Sequence, residues 1–95
     1  MSSRKVKVGI VGAGIWGANH ALALSSHPPG ELTIICDRDE ARARQLAGKH
    51  GCAWTASTDE LAASDVDAVT IATPDHLHKA PTLKMLAAGK HVLVE

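Results

Sequence analysis

Two periods take turns along the chain. Lys5-Val6-Lys7-Val8-Gly9-Ile10-Val11 begins by alternating polar with apolar and ends apolar, the pattern of a strand that enters a parallel sheet and becomes buried on both faces. Trp16 to Leu24 is rich in Ala and Leu and reads as a helix, which dies at Ser25-Ser26-His27-Pro28-Pro29-Gly30. Glu31–Cys36 is a second strand. Asp39–His50 is a helix with Ala43, Leu46 and Ala47 on its inner face and Gly51 at its end. Cys52-Ala53-Trp54 is a short strand. Ser57-Thr58-Asp59-Glu60 is a capping box that opens a short helix to about Ser64. Asp67–Ala72 is β-branched and apolar, a fourth strand, broken by Thr73-Pro74-Asp75. A helix from about His78 to Ala88 carries Pro81 in its first turn, where a missing N–H costs little. Gly89 ends it, and His91-Val92-Leu93-Val94 is a fifth strand.

Strict β-α alternation predicts an α/β fold: a doubly wound parallel sheet of Rossmann type, about five strands in the order 3-2-1-4-5, with helices on both faces. In such a sheet the carboxyl ends of strands one and four flank the topological switch point. Gly12–Gly17 leaves strand one there, Asp37 leaves strand two, Thr73-Pro74-Asp75 leaves strand four and Glu95 leaves strand five. Polar residues far apart in sequence thus converge on one edge.

Gly12-Ala13-Gly14-Ile15-Trp16-Gly17 is G-x-G-x-x-G, placed between a strand and a helix. There Gly12 permits the tight turn, Gly14 lets backbone approach a pyrophosphate, and Gly17 lets the helix pack close to the strand. The helix N-terminus offers unpaired N–H groups and partial positive charge to the phosphates. Asp37 stands 20 residues beyond Gly17, where an acid accepts hydrogen bonds from the adenosine ribose. Its charge disfavours a 2′-phosphate and so favours NAD. Arg38 next to it could grip that phosphate, which keeps NADP as the alternative cofactor. Asp37 also has a structural reading, because Asp37-Arg38-Asp39-Glu40 fits the spacing of a capping box.

Composition narrows the classes. The chain has 95 residues, 45% of them hydrophobic and 21% charged, with zero formal net charge. Nothing basic enough for nucleic acid or an anionic membrane is present. No apolar run approaches the ~20 residues of a membrane-spanning helix. Met1-Ser2-Ser3-Arg4-Lys5 leads straight into a folded strand rather than a signal segment, so the cytoplasm is expected. Cys36 and Cys52 lack metal spacing and read as buried free thiols; the six histidines are scattered, and no metal is expected. A whole dehydrogenase needs a cofactor domain of roughly 120–150 residues and a substrate domain besides. Residues 1–95 therefore read as one incomplete dinucleotide-binding domain whose fifth strand is an exposed apolar edge.

These residues resemble the N-terminal domain of the glucose–fructose oxidoreductase / inositol dehydrogenase (Gfo/Idh/MocA) family over essentially the whole chain. The resemblance rests on Gly12–Gly17 with His20 on the first helix, and on Asp37. It rests further on Asp65-Val66-Asp67-Ala68-Val69 leading into Ala72-Thr73-Pro74-Asp75, on His78, and on Ala88-Gly89-Lys90-His91-Val92-Leu93-Val94-Glu95. The last segment is the most specific. Asp75 departs from the pattern, which more often has Asn there.

The resemblance implies backbone contacts to the cofactor from Gly12, Ala13, Gly14, Ile15 and Trp16, with Asp37 and Arg38 reading the adenosine ribose. It implies that Ala72, Thr73, Pro74 and Asp75 line the groove, that His78 sits near it, and that Glu95 approaches the nicotinamide ribose. In the family, Glu95 would open a Glu-Lys-Pro triplet whose lysine transfers the proton, and a second domain binds substrate and often mediates oligomers. No catalytic residue is thus assigned within these 95. The full-length function implied is hydride transfer between a nicotinamide dinucleotide and a hydroxyl-bearing carbon of a sugar, inositol or related polyol, by a homo-oligomer. A non-catalytic dinucleotide-sensing module and, further off, an S-adenosylmethionine-dependent methyltransferase are the competing readings.

Overall fold

The computed structural model describes residues 6–14, 30–73 and 79–94. The helix expected at Trp16–Leu24 lies outside them. Five strands pair side by side: β1 (Val6–Val11), β2 (Gly30–Cys36), β3 (Ala53–Thr55), β4 (Ala68–Ile71) and β5 (His91–Val94). Their order is β3-β2-β1-β4-β5 and every pair is parallel, as the alternation of elements requires. The helices among the described residues are α1 (Glu40–His50), α2 (Thr58–Ala63) and α3 (Lys79–Ala87).

The sheet separates two cores. On one face Val11, Cys36, Val69 and Ile71 pack with Val66, with Leu61 of α2 and with Met85 of α3. On the other, Ile10 and Ile35 pack with Leu46 and Ala47 of α1, and Trp54 joins them at the rim beneath the guanidinium of Arg44. Right-handed crossovers account for the division. The β2–α1–β3 step moves one way along the sheet from β1, while α2 and α3 lead to β4 and β5 on its other side.

One local break was hidden by the sequence pattern. Val8 pairs with Leu32 but Gly9 pairs with Ile34, so Thr33 is an extra residue on β2. Strict alternation would put Leu32, Ile34 and Cys36 on one face. The bulge turns Leu32 over to the Ile35 side and leaves Ile34 and Cys36 on the other. Beside it, a Cβ on Gly9 would lie 2.8 Å from Leu61 Cδ1 and 3.2 Å from Ile34 Cγ2. The bare backbone of Gly9 is what lets α2 seat against the centre of the sheet.

The helix ends follow local chemistry. Asp39, not Asp37, caps α1: its carboxylate accepts the Arg42 N–H at 3.2 Å. Gly51 closes the helix in the left-handed region (φ 66°) and donates its N–H to the Ala47 carbonyl. Ser57 caps α2 by accepting the Glu60 N–H at 3.3 Å. The returning arm of that capping box runs through Thr55. Its hydroxyl accepts the Ser57 N–H at 3.0 Å and donates to the Glu60 carboxylate. Lys84 of α3 reaches Asp59 and Thr58 of α2 at 2.8 and 2.9 Å and ties the two helices. At the amino edge, Asp67 accepts the Lys7 N–H and donates its own N–H to the Lys7 carbonyl. The Lys7 ammonium, 2.6 Å from Asp65, holds that carboxyl below its usual range.

Candidate functional site

The opposite, carboxyl edge is built as a stair of backbone hydrogen bonds. The first residue past each of β4, β1 and β2 donates its N–H to the last carbonyl of the next strand over. Ala72 donates to Val11 at 2.8 Å, Gly12 to Cys36 at 2.7 Å and Asp37 to Thr55 at 3.1 Å. The parallel ladder therefore runs one residue beyond the strands and fixes three loop exits relative to one another.

Gly12 sits where this edge is tightest. Its φ is +107°, and a Cβ there would lie 2.8 Å from the Ala72 carbonyl oxygen and 3.2 Å from the Thr73 nitrogen. Two requirements coincide, backbone freedom and absence of bulk, and only glycine meets both. The exit of strand four thus touches the turn of strand one, the meeting expected at the switch point. Gly14 differs: it is exposed, and a Cβ there would meet no heavy atom within 4 Å among the described residues. Among the described residues nothing covers the outer side of the turn.

Asp37 joins the turn to β2 and α1. Its Oδ2 accepts the Ala13 N–H at 2.9 Å, and its Oδ1 accepts the Asp39 N–H at 2.8 Å. The second contact is an Asx turn, which explains why the cap lies at Asp39 although Asp37 also fits the spacing. A carboxylate has about four lone-pair sites, so two stay available for hydroxyl donors. The arrangement fits the adenosine ribose of a dinucleotide: a half-buried, doubly anchored acceptor beside an open glycine turn. Arg38 is exposed next to it.

The engaged amides sharpen the expectation for the turn. The N–H groups of Gly12 and Ala13 are bonded within the protein, so neither is a phosphate donor in this arrangement. Ala72 is buried and Thr73 half-buried against the turn. Ile15, Trp16, Gly17, His20, Pro74, Asp75, His78 and Glu95 lie outside the described residues.

Cys36 is free and buried one residue before Asp37. Burial, then the nearby charges of Asp37 and Glu60, push its thiol up to about 11, so it is no nucleophile at neutral pH. Cys52, half-buried rather than buried, is also free, and burial raises its pKa too. Among the described residues no three metal-binding side chains gather, and no helix is long and apolar enough to cross a membrane. The carbonyls of Cys36 and Thr55 carry the edge, yet no side-chain motif could have marked them. Gly9 did leave a signal, a glycine inside an apolar strand.

Known proteins share this fold. The Gfo/Idh/MocA description, an oxidoreductase family with an NAD-binding Rossmann fold, matches residues 6–95. Inositol 2-dehydrogenase 4 of Saccharopolyspora erythraea is 42% identical over 100 residues, covering 100% of this chain and 29% of its own length. Two solved structures superpose closely. GenD2 from gentamicin A biosynthesis, in complex with NAD, has a TM-score of 0.93 at 36% identity and covers 99% of this chain and 27% of its own. Scyllo-inositol dehydrogenase from Lactobacillus casei, with bound NAD(H) and scyllo-inositol, has a TM-score of 0.88 at 28% identity and covers 96% and 28%. The chain spans between a quarter and a third of the length of these relatives. It belongs to the Gfo/Idh/MocA oxidoreductase family, of which it carries the NAD-binding Rossmann domain.

Proposed function

We propose that residues 1–95 are the cofactor holder of an oxidoreductase that works on a hydroxyl-bearing carbon of a sugar, inositol or related polyol. Asp37 takes the adenosine ribose hydroxyls on its two remaining acceptor sites. The pyrophosphate lies over the open side of the turn at Gly14 and meets the residues that follow it, Ile15 and Trp16. Ala72 and Thr73 form the opposite wall, continued by Pro74, Asp75 and His78, with Glu95 toward the nicotinamide ribose. The bound dinucleotide supplies hydride acceptance and donation at its nicotinamide ring. The observation that carries the reading is the Asp37 carboxylate, anchored by the amides of Ala13 and Asp39 at 2.9 and 2.8 Å beside the glycine turn.

NAD is favoured over NADP. The carboxylate held at this position by two amides cannot swing aside from a 2′-phosphate without losing both bonds. Proton transfer and substrate positioning belong, by the resemblance, to residues beyond these 95, so the chain by itself is proposed to give no turnover. A homo-oligomeric full-length protein is part of the same proposal and rests on the resemblance, and a cytoplasmic one on the strand that follows Met1–Lys5. The test is calorimetric titration of the 95-residue protein with NADH, NADPH and S-adenosylmethionine. NADH should bind most tightly. A preference for S-adenosylmethionine, or binding of none of the three, overturns the reading.

A further inference from the structure

We propose that Asp37 is a positioning residue for the phosphate turn as well as the reader of the ribose, so that one carboxylate couples the two halves of the cofactor site. The inference rests on the dinucleotide reading above and deepens it.

The geometry leads there in steps. The hydrogen-bond stair ends at Gly12, whose N–H goes to Cys36. The next amide, at Ala13, lies past the sheet, where strand two has no further ladder carbonyl to offer. Asp37 Oδ2 takes it at 2.9 Å, so a side chain continues the ladder by one rung. The other oxygen is held at 2.8 Å by Asp39, the cap residue of α1, which stops the carboxylate from rotating. Both contacts are charge-assisted, the stronger class of hydrogen bond. On its far side Gly12 lies close against the Ala72 carbonyl, with no room for a Cβ between them. The direction in which the chain leaves Ala13, and with it the placing of Gly14, is therefore set by Asp37.

A residue that only reads the ribose would matter only to ligands with ribose hydroxyls. A residue that also sets the turn matters to any ligand with a pyrophosphate. Binding of NAD, and of an NAD analogue whose adenosine ribose lacks the 2′ and 3′ hydroxyls, would be measured for the unaltered protein, Asp37→Ala and Asp37→Asn. Asp37→Ala should weaken NAD and also weaken the dideoxy analogue by about tenfold, the scale of one charge-assisted hydrogen bond. Asp37→Asn, which keeps the shape and one acceptor oxygen, should recover part of the analogue's binding. Amide exchange at Ala13 and Asp39 should quicken in Asp37→Ala while core amides such as Ile10 and Ile35 stay protected, which a general loss of folding would not give.

Equal analogue affinity in the unaltered protein and Asp37→Ala, where NAD still binds the former, overturns the positioning role and leaves the dinucleotide reading standing. Failure of the unaltered protein to bind NAD overturns that reading, and the positioning role falls with it. If Asp37→Ala does not fold, Asp37→Asn decides: quicker exchange at Ala13 with weakened binding of the dideoxy analogue supports the proposal, and quicker exchange at Ala13 with analogue binding equal to that of the unaltered protein contradicts it.

Discussion

The two ends of the sheet are finished differently. Around β1 and β2 the carboxyl edge is closed by the hydrogen-bond stair, and Ile10, Ile35, Cys36 and Ile71 beneath it are fully buried. At the other flank Leu93 of β5 is 60% exposed, and Leu83 and Leu86 on the outer side of α3 are 55% and 53% exposed. The first region is ordered by contacts within these residues. The second presents large apolar side chains to solvent from β5 and from the outer side of α3. The cofactor-holding end is thus closed by its own backbone ladder, whereas the β5 flank exposes apolar surface.

Substitutions can break or sharpen this contrast. The largest effect is expected from Gly12→Ala. It forces a Cβ into the positive-φ region and within 2.8 Å of the Ala72 carbonyl, at a cost on the order of 3 kcal/mol or more. Urea unfolding should show a much lower midpoint; an unchanged midpoint would mean the edge is not tight. Gly9→Ala comes next, since its Cβ meets the fully buried Leu61. A loss of about 1–3 kcal/mol is expected, and Leu61→Ala in the same chain should make the added methyl less harmful. Additive losses in that double-mutant cycle would refute the contact. Thr55→Val removes the hydroxyl that joins Ser57 to Glu60 and should cost about 1 kcal/mol, seen as a small fall in thermal midpoint. The smallest stability change is expected from Leu83→Lys with Leu93→Lys, within about 0.5 kcal/mol per site. The same pair should lower self-association measured by sedimentation, and a large loss of stability would show that the flank is not open.

Much of this was legible in the sequence, for identifiable reasons. Long periodic segments such as Asp39–His50 hold one reading, and alternating β and α units leave few topologies. The bulge at Thr33 was not legible, because Leu32, Ile34, Ile35 and Cys36 supply apolar residues to either face in either register. The cap of α1 was ambiguous because Asp37 and Asp39 both suit the spacing; the Asx turn to Asp39 and the Ala13 contact, 24 residues away, together draw Asp37 off. The commitment of the Gly12 and Ala13 amides is a matter of backbone direction, which no residue type encodes. The open flank follows from which side of α3 faces the sheet: Met85 is inside while Leu83 and Leu86 are outside, and their apolar character alone could not tell them apart.

The most direct test of the central claim is an amide-resolved NMR titration of the protein with NADH. Shifts should concentrate at Gly12–Gly14, Asp37, Arg38, Ala72 and Thr73 and spare Leu83, Leu86 and Leu93. Saturating NADH that leaves the first group unmoved, or moves mainly the β5 flank, would contradict the account.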